Sequence, residues 1–174
     1  MQDIFERARD IRLVLFDVDG VLTDGRLIFN ADGEETKAFH ARDGHGLKLL
    51  MEVGIEVGVI TARSSPAVEH RMKNLGIPHV FQGQHDKRAT YLALIERLGL
   101  EHAQVAYMGD DVIDLPVLSR VGLAATVADA PAVVKRHVHW IAERGGGQGA
   151  ARDLCDLILD AQGKLDTLLA RYLA

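Results

Sequence analysis

From about residue 12 onward, short β-branched and apolar runs alternate with helix-length amphipathic segments, and this rhythm constrains the fold more than any other feature. A strand that leads through a helix to a further strand needs a crossover, which brings the chain back parallel to its start and lays the helix on a face of the sheet. The expectation is an α/β sandwich. Candidate strands are 12–17 (RLVLFD), 56–60 (EVGVI), 79–81, 104–108 (QVAYM), 123–126 and 137–141. Candidate helices span about 44–53, 65–75, 86–98, 114–120, 131–136 and 149–161, with Gly76 before Pro78 and Gly99 after Leu98 as stops. The rhythm breaks at 26–40, RLIFNADGEETKAFH, where two alternating runs flank Ala31-Asp32-Gly33-Glu34, a turn sequence suited to a β-hairpin.

Composition removes several classes. With 174 residues, 48% hydrophobic and 26% charged, the chain is a globular domain rather than a disordered, collagen-like or coiled-coil protein. Lys plus Arg number 20 against 25 Asp plus Glu, a net charge of −5, so no basic field favours nucleic acid and any anionic ligand must be held by local charges. The single cysteine, Cys155, lies in the run Leu154-Cys155-Asp156-Leu157-Ile158-Leu159, which reads as a buried helix face; a reducing cytoplasm is the expected compartment. No stretch approaches 18 uninterrupted apolar residues, and MQDIFERARD carries charges where a signal peptide needs an apolar segment, so neither export by that route nor a membrane partner is expected. Gly145-Gly146-Gly147-Gln148-Gly149 reads as a mobile or ligand-near loop and does not spell a dinucleotide fingerprint.

Asp17-Val18-Asp19-Gly20-Val21 follows the first apolar strand, and the carboxyl ends of parallel strands border the ligand crevice. Gly109-Asp110-Asp111 follows another such strand and brings more negative charge to the same rim, with Asp114 three residues on. Such a crowd of carboxylates needs a cation. Hard oxygen ligands without a thiolate suit Mg2+, which keeps several waters and a substrate phosphate, better than zinc. Thr61 ends a third strand and offers a hydroxyl, and Lys87 opens a helix from which its ammonium reaches the same phosphate. Together these residues read as a phosphoryl-transfer site. One carboxylate attacks phosphorus to give an aspartyl-phosphate, and a second, two residues on, protonates the leaving oxygen and then activates water. Singly, each has a plainer role: a cap or turn for Asp17 or Asp19, a capped helix start before Pro116 for Asp110 to Asp114, a structural hydroxyl for Thr61, a solvated charge for Lys87. Their joint placement at four strand exits favours catalysis. His137 and His139 share one side of a strand but lack a third ligand, and read as structural.

These residues resemble the motifs of the haloacid dehalogenase superfamily, with DVDGV as the first, Thr61 the second, Lys87 the third and GDDVID the fourth. The blocks VLFDVDGVLTDG, FHARDGHGLKLL, RSSPAVEHRMKNLGI, GDDVIDLPVL, VADAP, GGGQGAARDLCDLIL and AQGKLD, over about residues 12–166, are similar to its 3-deoxy-D-manno-octulosonate 8-phosphate phosphatase family. The resemblance implies a Rossmann-like parallel sheet sandwiched by helices, with a β-hairpin insertion and no cap domain. It implies Mg2+-dependent hydrolysis of an eight-carbon keto-sugar acid phosphate, on the route to the lipopolysaccharide inner core. Asp17 would be the nucleophile and Asp19 the general acid/base, with Thr61 and Lys87 completing the catalytic set. Mg2+ would be held by Asp17, the Asp19 backbone carbonyl and Asp110, with Asp111 and Asp114 in support. Arg63 and Arg71 match positions that contact the sugar acid, where guanidinium forks suit a carboxylate. The helix reading places Arg71 near an active site, its own or a neighbour's. Two departures from many relatives are Ala62 where they carry Gly before the Arg, which bears on sugar fit, and Asp153 where they carry Glu.

Spacing points to the same subgroup. Forty-two positions separate Asp19 from Thr61 and 23 separate Lys87 from Asp110, gaps filled by the hairpin with one helix and by a helix with one strand. Neither holds a cap domain. A phosphoryl site usually needs a lid against water, so it is either open to macromolecular substrates or covered by another subunit. The hairpin, with Leu27, Phe29 and Phe39 lacking an evident place to bury, favours the subunit. One domain over 1–174 is therefore expected to assemble through hairpin 26–40 into a closed homo-oligomer, by the resemblance a tetramer, with the 163–174 tail reaching an adjacent site. A rival class, the signalling receiver domain, also uses paired Asp, Thr and Lys on a parallel sheet but lacks an acid two residues after its phosphoryl acceptor, and Asp19 speaks against it. A phosphatase for the related nine-carbon keto-acid 9-phosphate stays open.

Overall fold

The computed structural model describes residues 2–174. The chain runs through α1 (Gln2–Arg9), β1 (Leu13–Phe16), β2 (Ile28–Phe29), β3 (Glu35–Thr36), α2 (Ala41–Glu52), β4 (Glu56–Ile60), α3 (Pro66–Leu75) and β5 (His79–Phe81). It continues through α4 (Lys87–Leu98), β6 (Val105–Met108), α5 (Leu115–Leu118), β7 (Leu123–Thr126), α6 (Ala132–Lys135), β8 (Trp140–Ile141), α7 (Ala150–Ala161) and α8 (Leu165–Leu173). Six strands pair parallel in the order β5-β4-β1-β6-β7-β8, so the expected α/β architecture with a parallel sheet is what forms.

β1 lies inside the sheet with strands on both sides, and all four residues of its LVLF run are buried, which is why it shows no polar alternation. From β1 the chain winds outward through β4 to β5, returns across the sheet with α4, and winds the other way through β6 to β8. Right-handed crossovers in opposite directions put α2 and α3 on one face and α4, α5 and α6 on the other. That reversal opens a crevice at the carboxyl ends of the central strands. The register aligns those ends, since Phe16 stands beside Val59 and Met108, and Asp17, Thr61 and Gly109 leave the sheet along one rim. α7 packs on α1 and α2, burying Leu154, Cys155, Ile158 and Leu159 against Leu47 and Leu50. Each aliphatic side chain so buried contributes about 1.5–3 kcal/mol relative to exposure.

Helix limits follow local chemistry. Ser65 caps α3 by accepting from the Ala67 amide at 3.2 Å, Asp86 caps α4 by accepting from the Ala89 amide at 3.1 Å, and Gly76 and Gly99 end these helices in the left-handed region. The 114–120 helix forms only as Leu115–Leu118, behind a 3₁₀ turn at Val112–Asp114, because the Asp114 carboxylate is drawn inward to cap the amides of Asp110 and Asp111. The 137–141 strand shrinks to Trp140–Ile141. His137 instead sits in the turn after α6, 2.8 Å from the Val133 carbonyl, and His139 Nδ1 accepts from the Ala124 amide, so the two histidines do not form a pair. α1 and α8 carried no sequence expectation. Among the described residues no helix is long and apolar enough to cross a membrane.

The hairpin is present but short, pairing only Ile28 with Thr36 and Phe29 with Glu35. Leu27 and Phe29 are exposed, as expected of residues without a place in the core, whereas Phe39 is half-buried and packs against it. The 163–174 segment turns at Gly163 into α8 and docks on its own chain, with Leu168 buried and the Arg171 guanidinium forked onto the Glu52 carboxylate at the end of α2.

Candidate active site

The Asp17 amide donates to the Met108 carbonyl at 2.9 Å, carrying the β1–β6 ladder one residue past the strand and fixing this aspartate at the crevice floor. Its side chain is almost fully buried, and Oδ1 accepts from the Val18 amide at 2.7 Å and from Lys87 Nζ at 2.9 Å. Both donors fall on Oδ1, leaving Oδ2 for an incoming group. The chain then turns sharply over Thr23, whose hydroxyl accepts from the Gly20 and Gly25 amides. Gly20 is needed there twice over: its φ is 89°, and a Cβ would run into the Asp110 carboxylate. The glycine-rich loop at 145–149 packs on this turn, with Gly147 donating to the Val21 carbonyl and a Cβ at Gly146 colliding with the Gly20 carbonyl.

Lys87, in the first turn of α4, is wholly enclosed. Its ammonium lies 2.9 Å from Asp17, 2.7 Å from Asp114 and 3.3 Å from the Tyr107 hydroxyl. Asp114 is saturated: Oδ1 accepts from Lys87 and from Tyr107 at 2.6 Å, and Oδ2 accepts from the amides of Asp110 and Asp111 at 3.0 and 3.1 Å. Asp17, Asp110 and Asp114 each place a carboxylate oxygen within 4.8 Å of the others. With the Asp114 lone pairs committed, a cation would fall to Asp17 and Asp110. The electrostatics call for one. Burial, then Asp114, raises the Asp17 pKa to about 7 against the opposing pull of Lys87, and burial, then Asp17 and Asp114, raises Asp110 to about 8. Burial pulls Lys87 down, but Asp17 and Asp114 outweigh it and hold the ammonium above its ordinary value.

A cleft of about 230 Å³ above this floor is lined by Asp17, Asp19, Thr61, Arg63, Asp110 and Asp111. The structure therefore brings six of the sequence-predicted residues to one surface and puts Lys87 and Asp114 directly beneath it. Asp19 is not free at the rim. It is ion-paired with Lys37 of the hairpin strand's continuation, which also holds Glu35 at 2.9 Å, and Glu35 in turn accepts from Arg63 at 2.7 Å. Lys37, then Arg63, lowers the Glu35 pKa.

Arg71 does not reach this cleft. It stands on α3 beside Gly44 and donates to Asn74 at 3.2 Å. Sequence reasoning passed over Tyr107, Glu35 and Lys37. A signal existed for Tyr107, since a tyrosine inside an apolar central strand needs a buried partner for its hydroxyl. Asp43 was also unremarked. It is buried, which raises its pKa, and it accepts from the Arg152 amide at 2.9 Å, capping α7 from α2 where Gly149 has no side chain to offer.

The haloacid dehalogenase-like hydrolase family matches residues 43–122. Across 94% of this chain and 88% of the relative, the sequence is 46% identical to the 3-deoxy-D-manno-octulosonate 8-phosphate phosphatase KdsC of Yersinia pestis. The crystal structure of a probable YrbI family phosphatase from Pseudomonas syringae pv. phaseolica superposes with a TM-score of 0.99 at 49% identity, covering 100% of this chain and 99% of that one. The Moraxella catarrhalis 3-deoxy-D-manno-octulosonate 8-phosphate phosphatase, solved with magnesium, phosphate and KDO, gives 0.97 at 41% identity over 99% of each chain. Full-length likeness in sequence and in backbone, with an acidic floor at the same strand exits that the motifs specify, places the chain in the 3-deoxy-D-manno-octulosonate 8-phosphate phosphatase family of haloacid dehalogenase-like hydrolases.

Proposed function

We propose that this chain hydrolyses 3-deoxy-D-manno-octulosonate 8-phosphate to 3-deoxy-D-manno-octulosonate and inorganic phosphate, a step toward the lipopolysaccharide inner core. The observation that carries the reading is Asp17, held on Oδ1 by Lys87 and a backbone amide with Oδ2 left toward the cleft, and with a second carboxylate, Asp19, two residues on. Asp17 attacks phosphorus while Asp19, having exchanged its ion pair with Lys37 for a proton when substrate binds, gives that proton to the departing sugar oxygen, leaving an aspartyl-phosphate. Asp19 then takes a proton from water as that water attacks the same phosphorus, returning both carboxylates to their starting states. Lys87 neutralises charge on the phosphoryl oxygens beside Asp17, and the Thr61 hydroxyl, at the adjoining strand exit, donates to them.

The donor set fits Mg2+: two carboxylates without a thiolate, both pushed toward protonation by burial and then by their neighbouring carboxylates. Asp17 and Asp110, with the Asp19 backbone carbonyl, would hold it, while Asp111 and Asp114 support the loop. When bound, it supplies the charge that keeps these carboxylates ionised and offsets charge on the transferring phosphoryl group. Arg63 receives the sugar-acid carboxylate, and Arg71, distant from its own cleft, serves a neighbouring copy. The exposed apolar run Leu27, Ile28 and Phe29 supports closure of a homo-oligomer, a tetramer, through the hairpin. The lone buried Cys155 suits a reducing cytoplasm.

Phosphate release from the eight-carbon and nine-carbon sugar acid phosphates, with and without Mg2+, tests the reading. The eight-carbon substrate should be preferred and Asp17→Asn should be inactive on both, since an amide is neither nucleophile nor anionic ligand. A nine-carbon preference would move the substrate assignment, and wild-type turnover by Asp17→Asn would remove the nucleophile.

A further inference from the structure

We infer that Glu35, on β3, is a specificity-determining residue: it occupies Arg63 until a ligand brings a carboxylate of its own to that guanidinium. The inference rests on the assignment of Arg63 to the sugar-acid carboxylate and names what that contact must displace. Among the described residues Arg63 is the only cationic side chain lining the cleft. Lys87 lies beneath it, enclosed and committed to Asp17 and Asp114, and Lys37 is equally enclosed and committed to Asp19 and Glu35. An anionic group elsewhere on the substrate than its phosphate therefore has one cation of this chain to meet, and that cation is taken.

Glu35 Oε2 accepts from Arg63 Nη2 at 2.7 Å and Oε1 from Lys37 Nζ at 2.9 Å. Lys37 bridges to Asp19 Oδ1, and Arg63 Nε stands 4.0 Å from Asp19 Oδ2. Two carboxylates and two cations thus alternate around a closed ring at the cleft mouth. Arg63 keeps 43% of its side-chain surface exposed against 15% for Glu35, so the guanidinium is the member of that pair a ligand reaches from solvent. A ligand carboxylate takes over the contact that Glu35 makes with Arg63 through a single oxygen, so the guanidinium keeps a close counter-charge through the exchange while Glu35 stays on Lys37. A neutral tail that displaced Glu35 would leave Arg63 with only the looser Asp19 contact at 4.0 Å, so it gains nothing from this corner of the site. Discrimination then comes from an occupied cation as much as from an attractive one.

Glu35→Gln in the full-length protein retains an oxygen for Lys37 and removes the charge that holds Arg63. Exposed ion pairs are weak, so KM for the sugar acid phosphate should fall about two- to fivefold. The ratio of kcat/KM for that substrate over p-nitrophenyl phosphate should rise by a similar factor. An unchanged or higher KM, or an unchanged ratio, overturns the inference. In an Arg63→Ala background the Glu35 substitution should lose its effect on KM; an effect that persists means Glu35 acts by another route, and the inference fails. Arg63→Ala alone reads the underlying assignment. If it penalises both substrates equally, the carboxylate role of Arg63 is wrong and the Glu35 inference falls with it; if it penalises the sugar acid phosphate selectively while Glu35→Gln does nothing, only the Glu35 inference falls.

Discussion

Replacing Lys87 with Met keeps the stem and removes only the ammonium, and the structure makes that a large perturbation. The Lys87 side chain has no exposed surface, and its nitrogen lies 2.9 Å from Asp17 and 2.7 Å from Asp114. Without it two carboxylates face each other in the interior with Asp110 close by. Removing one partner from a buried ion pair costs about 3–5 kcal/mol. A domain is stable by about 5–15 kcal/mol in total, and one of this length loses about 2–4 °C of Tm per kcal/mol. The expected fall is therefore about 6–20 °C at pH 8 in metal-free buffer. The deficit depends on pH, with a sign set by Asp17. Burial and Asp114 already raise its pKa to about 7, and the Lys87 ammonium is the chief opposing influence. A carboxyl group whose folded pKa lies above its unfolded value favours folding most at low pH, and that contribution is lost as pH rises through the folded pKa. In the variant the folded pKa climbs further, so the loss of stability is greatest above neutrality and shrinks at pH 5, where Asp17 is protonated. Circular dichroism melts of both proteins at pH 5 and pH 8, with chelator, measure it. Equal Tm values at pH 8, or a deficit as large at pH 5, would refute the view that Lys87 neutralises buried carboxylates.

Asp19→Asn should retain Mg2+ and substrate binding by calorimetry yet turn over roughly 10² to 10⁴ times more slowly; a loss under about threefold would mean that another group moves the proton. The thermal stabilisation given by saturating Mg2+ should grow from pH 5 to pH 8, because Asp17 and Asp110, raised to about 7 and about 8, must shed protons to bind it. A shift independent of pH in differential scanning fluorimetry would contradict that ligand pair. Light scattering at micromolar concentration should give a closed assembly rather than a 19.0 kDa monomer, and in that assembly Arg71→Ala should raise KM for the sugar acid phosphate more than for p-nitrophenyl phosphate. A fully active monomer would end the shared-site proposal, and equal KM losses would end the carboxylate role of Arg71.

The parts of this site that could be read from the sequence are those whose chemistry restricts residue type at a strand exit. Asp17, Asp19, Thr61 and Asp110 each follow an apolar run, and a parallel sheet carries every such position to one rim whatever the length of the crossover. Tyr107 could not be found that way. Inside VAYM it reads as core, and only the packing of α4 sets the Lys87 ammonium, 20 residues earlier in the chain, 3.3 Å from its hydroxyl. Glu35 and Lys37 were hidden for a different reason: period-two alternation says that they share a face of the hairpin but not which body that face meets, and it meets Asp19 and Arg63. α1 and α8, of eight and nine residues, are too short to be stable as isolated helices and exist because α7 and its neighbours bind them, a dependence that no local window contains. The same reasoning explains why Asp114 looked like a helix start. Its spacing from Pro116 satisfies the capping pattern, but four donors converge on its carboxylate from α4, β6 and the Asp110 loop, so its position is decided by the site and the helix begins where the site allows.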